Sequence, residues 1–198
     1  MDYKEKILKM AADNNGYITA KDVVNKGIPK IYLTNLVKER KLVRISRGFY
    51  MLVDCFEDDY YKIQLSNSDA VFSLETALYL YNYSNRVPPK YYVSVPSNYG
   101  GNLLKNKNVQ LLYTKKEWLV LGVVEITSPF GLPIKVYDRD RTICDIIKNK
   151  DRVDPEIFSE AMKEYIRSKE KNITNLFVYA RKLNIEDIVR NLLEVMLW

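Results

Sequence analysis

Ile7, Leu8, Met10 and Ala11 fall at helical spacing within residues 2–13, and Asn14-Asn15-Gly16 supplies a stop. Tyr17-Ile18 is short and β-prone. Thr19 has capping-box spacing to Asp22 and predicts a second helix, carrying Val23 and Val24 and ended by Gly27. Pro29 suits the first position of a third helix, residues 29–41, that buries Leu33, Leu36 and Val37. Two β-prone runs then flank Ser46-Arg47-Gly48 within residues 42–52, which reads as a hairpin with a basic tip. Helix, helix–turn–helix and hairpin in that order predict a winged helix–turn–helix domain over residues 1–53.

The acidic stretch Cys55-Phe-Glu-Asp-Asp-Tyr-Tyr reads as a linker over residues 54–65, followed by a second domain over 66–198. There Ser68-Asp69 is placed to cap a helix running through Tyr83, with Phe72, Leu74, Ala77, Leu78 and Tyr81 among its apolar residues. Val87-Pro88-Pro89 breaks that run. Strands are expected over 90–95, 109–113, 118–127 and 134–137, separated by Pro and Gly clusters. Helices are expected over 138–148, 154–167, 172–183 and 185–197, with Asp154-Pro155 as an N-cap and first-turn pair. Strands followed by helices, without alternation, indicate an α+β class. The domain should hold a mixed α+β arrangement with a small, mainly antiparallel sheet and a helical C-terminal tail.

Helix phasing selects candidate readers of DNA. With Leu33, Leu36, Val37 and Arg40 on the inner arc of the third helix, Ile31, Asn35 and Lys38 face outward, with Thr34 beside them. Asn pairs bidentately with adenine, Ile contacts a thymine methyl, and Lys reaches guanine or phosphate. Lys30, Lys41, Arg44 and Arg47 lie at the helix ends and wing, where phosphate contact is the natural role. The bland reading is a solvated basic face, with Arg40 and Arg44 closing onto acids of the same domain.

Charge favours the first reading. The chain of 198 residues carries +6, and residues 1–53 hold eleven bases against five acids, the whole of that net. The other 145 residues hold twenty of each. A basic block beside a neutral body points to nucleic acid as the partner of the first domain.

Composition excludes much else. Without histidine there is no His-based triad, His-ligated zinc site or imidazole shuttle. Two cysteines make no disulfide framework and fit a reducing, cytoplasmic setting, and no apolar run reaches the ~20 residues of a membrane helix. Asn98-Tyr-Gly-Gly-Asn102 lacks the spacing of a phosphate loop. Asp138, Asp140 and Asp145 are close enough in sequence to resemble nuclease metal ligands, although the plainer reading makes one of the first two a helix cap. Cys144, among Ile143, Ile146 and Ile147, reads as core. Eight of sixteen tyrosines fall in residues 60–99, suited to stacking, to an interface or to the edge of a core. No catalytic residue, cofactor or metal is assigned.

These segments resemble the AbiEi-type abortive-infection antitoxins of type IV toxin–antitoxin systems. The likeness rests on Tyr17-Ile-Thr-Ala-Lys-Asp-Val, Gly27-Ile-Pro, Leu33-Thr-Asn-Leu-Val-Lys and Leu42-Val-Arg-Ile-Ser-Arg-Gly-Phe-Tyr50. It continues through Lys90-Tyr-Tyr-Val-Ser-Val-Pro96, Leu121-Gly-Val-Val-Glu-Ile-Thr127, Val136-Tyr-Asp-Arg-Asp-Arg-Thr-Ile-Cys-Asp145 and Glu160-Ala-Met-Lys-Glu-Tyr165. Asp140 stands where such proteins often carry Glu. The resemblance implies a non-enzymatic antitoxin and autorepressor. Its winged helix would bind double-stranded DNA at inverted repeats of its own operon promoter, two copies per operator. Its second domain would oppose a nucleotidyltransferase-like toxin without a stable complex. A one-component regulator whose second domain senses a ligand is the alternative.

Overall fold

The computed structural model describes residues 2–65, 67–101 and 106–197. The chain divides into two compact units, Met1–Leu65 with Thr127–Leu132, and Ser66–Ile126 with Pro133–Trp198. Among the described residues no helix is long and apolar enough to cross a membrane.

The first unit runs α1 (Tyr3–Asp13), β1 (Tyr17–Thr19), α2 (Ala20–Asn25), α3 (Ile31–Lys38), β2 (Leu42–Ser46), β3 (Phe49–Leu52) and α4 (Asp59–Leu65). Its sheet has the order β1-β3-β2, antiparallel throughout. The capping box forms: the Asp22 amide donates to Thr19 Oγ1 at 3.0 Å and the Thr19 amide to Asp22 Oδ2 at 3.0 Å. Ile7, Ala11, Ile18, Val23, Ile28, Leu33, Leu36 and Leu42 close one apolar core. This is the winged helix–turn–helix order that the apolar spacing predicts.

The acidic stretch after Val53 is ordered as part of this unit. Asp58 is buried, and its Oδ1 accepts from the amides of Tyr60 (2.9 Å) and Tyr61 (3.2 Å) at the start of α4. Its amide donates to the Tyr17 hydroxyl at 3.0 Å, and Ser128 Oγ donates to its Oδ2. Leu132 packs with Tyr17 and Met51 in a second small cluster. The loop Thr127–Leu132 thus completes the first unit although it lies far along the chain.

The second unit comprises β4 (Val71–Phe72), α5 (Leu74–Leu80), β5 (Tyr91–Pro96), β6 (Val109–Thr114), α6 (Lys116–Leu119), β7 (Val123–Thr127), β8 (Pro133–Tyr137), α7 (Arg139–Lys148), α8 (Pro155–Arg167), α9 (Ile173–Lys182) and α10 (Glu186–Leu197). The α+β class holds, and the sheet order is β6-β5-β4-β8-β7. It is mixed, not mainly antiparallel: β4 pairs antiparallel with β5, but β4–β8 and β5–β6 are parallel. The twelve residues between β5 and β6 are long enough for a crossover, so sequence neighbours need not form a hairpin.

Two expected elements change. The helix expected from Ser68 to Tyr83 begins only at Leu74, because Val71–Phe72 forms a strand pairing with both β5 and β8. Residues 70–74 are all buried, and a short buried apolar run does not distinguish strand from helix. Leu74 turns the chain from β4 into α5 with φ +44°. The strand expected over 118–127 begins at Val123; Trp118 belongs to the single turn α6.

Helix α7 is the hub, packed against α5, α8, α9 and α10, with every residue from Asp140 to Ile147 buried. Cys144 is core, its Sγ 3.4 Å from the Leu176 carbonyl, and burial pushes its thiol pKa up. All eight tyrosines of residues 60–99 are buried or half-buried, which makes them core-edge residues. Asn102 of the glycine-containing stretch lies outside the described residues.

Candidate nucleic-acid interface

Helix α3 is shorter at both ends than apolar spacing suggests. Pro29 precedes it, accepting from the Tyr32 amide at 3.2 Å, and Lys30 stands at the N-cap. Arg40 adopts φ +56° and is exposed, and the Lys41 amide returns to the Leu36 carbonyl at 2.9 Å. That left-handed turn ends the helix. Arg40 therefore leaves the inner arc, which reduces to Leu33 and Leu36, fully buried, with Val37 half-buried. Lys41 stands between α3 and β2.

The outward arc follows from this inner one. Ile31 is 58 % exposed at the first position of α3. Thr34 and Lys38 are exposed, as is Lys30, and Asn35 is half-buried. In the hairpin, Arg44 is exposed on β2 and its Nε donates to the Ser46 carbonyl at 3.3 Å, beside a bulge in the β2–β3 register. Arg47 is exposed in the two-residue turn, where Gly48 takes φ +83° and accepts from the Ala20 amide at 2.7 Å. The wing turn is thereby tied to the start of α2.

Ion pairing separates these cations into two sets. Glu39 binds Lys4, and this hydrogen bond raises the Lys4 pKa; Lys41 Nζ lies 3.9 Å from the same carboxylate. Lys30, Lys38, Arg44 and Arg47 form no ion pair among the described residues. Among the described residues, Arg40 and Arg44 do not close onto acids as the bland reading expects. Lys21 of α2 and Lys26 just after it, also exposed and without an ion pair among the described residues, lie outside the set that helix phasing selects; only their charge marks them.

The acids of the second unit are occupied structurally. Asp138 caps α7, its Oδ1 accepting from the Arg141 amide and its Oδ2 from the Tyr179 hydroxyl, both at 2.7 Å. Asp140 Oδ1 accepts from the Tyr165 hydroxyl (2.7 Å) and the Asn172 amide (2.9 Å), while burial raises its pKa. Asp145 pairs with the buried Arg141 at 3.1 Å. Among the described residues no three His, Cys, Asp or Glu side chains are grouped to hold a metal ion.

Residues 5–53 match the family model described as transcriptional regulator, AbiEi antitoxin. The first unit is thus similar to that family over its helices and hairpin. The match bears out the N-terminal part of the likeness read from the sequence and spans about a quarter of the chain. Comparison with curated proteins gives no match. Among solved structures, the chain is similar in fold to the crystal structure of the RV2827C protein from Mycobacterium tuberculosis. The TM-score is 0.61 at 12 % identity, covering 90 % of this chain and 71 % of that one. At that identity the likeness concerns the fold.

Proposed function

We propose that this protein is an AbiEi-type antitoxin and transcriptional autorepressor. Its winged helix binds inverted repeats in its own operon promoter, one copy on each half-site. Helix α3 enters the major groove with Ile31, Thr34, Asn35 and Lys38 toward base edges, and Lys30, Lys41, Arg44 and Arg47 hold phosphates. The second unit opposes a nucleotidyltransferase-like toxin without a stable complex and without catalysis of its own.

The observation that carries this reading is the unpaired set Lys30, Lys38, Arg44 and Arg47, on the segment that holds the net +6 and matches a regulator family. Electrophoretic mobility on the protein's own upstream DNA tests it. Asn35→Ala with Lys38→Ala should weaken operator binding by at least about tenfold, a loss of roughly 1–3 kcal/mol per base contact. Arg47→Ala should weaken all sequences alike and lower the salt slope by about 1. Unchanged affinity in the double variant removes α3 from the interface. Co-expression of the full chain carrying Asn35→Ala with Lys38→Ala alongside the adjacent toxin tests the second half: failure to relieve toxicity where the parent chain succeeds overturns this division of labour.

A further inference from the structure

The second unit contains a cavity of about 660 Å³, within the size range of small-molecule sites. It lies against β5 and β6 and reaches residues just past the carboxyl ends of this parallel pair, Ser97 and Lys115. Helix α7 forms another wall. None of its lining belongs to the winged helix, and nothing in the proposed DNA contacts uses it.

One end of the cavity is basic. Lys148 Nζ stands 4.1 Å and Lys115 Nζ 4.9 Å from the centroid of the same Trp118 ring. A cation–π contact holds an ammonium in place without neutralising it. Arg152 also lines the cavity, and none of the three cations forms an ion pair among the described residues. The acid nearest to hand, Asp145, is engaged by Arg141, which also donates from Nη1 to the Trp118 (2.6 Å) and Leu121 (2.8 Å) carbonyls. Arg141 thereby fixes α6, and with it the tryptophan, against α7. Desolvation lowers the Lys148 pKa; Asp145 acts against it, and the like charges of Arg141 and Lys115 add to the lowering.

The remainder has a different character. Glu75 and Tyr92 also line the cavity; burial raises the Glu75 carboxyl, a hydrogen bond from Tyr92 acts against that, and the charge of Asp154 adds to it. A carboxyl and a phenol with apolar neighbours suit hydroxyl and ring-edge donors, whereas the lysine end suits phosphate. The volume far exceeds that of a bare phosphate.

We propose that this cavity binds a nucleoside phosphate, with the phosphates at Lys115, Lys148 and Arg152 and the nucleoside toward Glu75 and Tyr92. Occupancy would join Lys115, between β6 and α6, and Lys148, at the end of α7, through one anion. The site stands independently of the DNA-binding reading.

Isothermal titration calorimetry of the full chain with each of the four ribonucleoside triphosphates tests this, alongside inorganic triphosphate and a short single-stranded RNA. At least one nucleotide should bind with Kd below about 100 μM, some 5–6 kcal/mol of binding free energy. Lys115→Gln with Lys148→Gln should weaken it at least tenfold, and Arg152→Gln, on a different element, severalfold. Lys115→Arg with Lys148→Arg should retain most of the affinity, and Asn35→Ala with Lys38→Ala all of it. The lysines and Arg152 are exposed, and unchanged thermal melting separates a lost contact from a lost fold. The proposal is overturned if no nucleotide binds at about 1 mM, or if the Gln variants bind as the parent does. It is equally overturned if inorganic triphosphate or the RNA binds more tightly than every nucleotide.

Discussion

Arg141 shows how a single side chain serves as structure. It is 2 % exposed, charged, and satisfied by Asp145, two carbonyls and the face of Tyr137, with its guanidinium carbon 4.2 Å from that ring centroid. Removing one partner of a buried pair strands the other charge, so Arg141→Ala should cost about 3–5 kcal/mol, read from the urea midpoint. Lysine cannot restore the forked contact, so Arg141→Lys should remain severely destabilised. Tyr137 supplies a pH dependence. Burial pushes its hydroxyl up to about 12, above the value of about 10 in an unfolded chain. The native state then keeps a proton that the unfolded state releases, so this contribution is intact below pH 10 and lost as pH rises toward 12. Unfolding free energy should fall by up to about 3 kcal/mol across that window from this group. Tyr137→Phe should flatten the decline; an identical slope in the variant would exclude Tyr137 as its source.

At the scale of elements, local chemistry accounts for most helix starts. Thr19 with Asp22, Asp138, Asp154 with Pro155, and Asn172 all cap the helices that follow them. Thr19→Ala should cost about 1 kcal/mol in thermal or urea unfolding, because the Asp22 amide loses its acceptor at the entrance to the helix–turn–helix. These starts were legible because a cap acts within one helical turn. What was not legible lay where burial was continuous. Val71–Phe72 is a two-residue strand in the middle of a sheet, identified by partners twenty and sixty residues away. Trp118 shows the converse: a β-prone residue drawn into a helical turn whose carbonyl receives Arg141. The candidate interface was legible for the reason the caps were: α3 and the wing are local elements with a simple inner arc. The end of α3 was not, since Arg40 in a left-handed turn carries no glycine to announce it.

For the whole molecule, the first unit is not a continuous stretch of chain. Tyr17 and Met51 are buried with Leu132, and Asp58 is satisfied by Ser128. A fragment ending at residue 53 lacks both. Leu132→Ala should destabilise the first unit by about 2–3 kcal/mol, detectable as earlier exchange of the Tyr17 and Met51 amides, while leaving the α7 amides protected. Equal loss of protection in both units would contradict a separate cooperative first unit. Charge is also divided at this scale. Residues 1–53 carry the net +6 and the balance of the chain is neutral, so salt should act on DNA affinity chiefly through the winged helix.

Apolar spacing, caps and charge position were enough to set the winged helix, its outward arc and the basic wing, because each depends on interactions within a few residues. Strand pairing in the mixed sheet, burial of the Arg141–Asp145 pair and the cavity at Trp118 were settled by the fold. Their partners, from Glu75 to Arg152, are scattered along the chain and acquire a shared environment only when β5, β6 and α7 close on one another. Contacts of that range leave no periodicity to read.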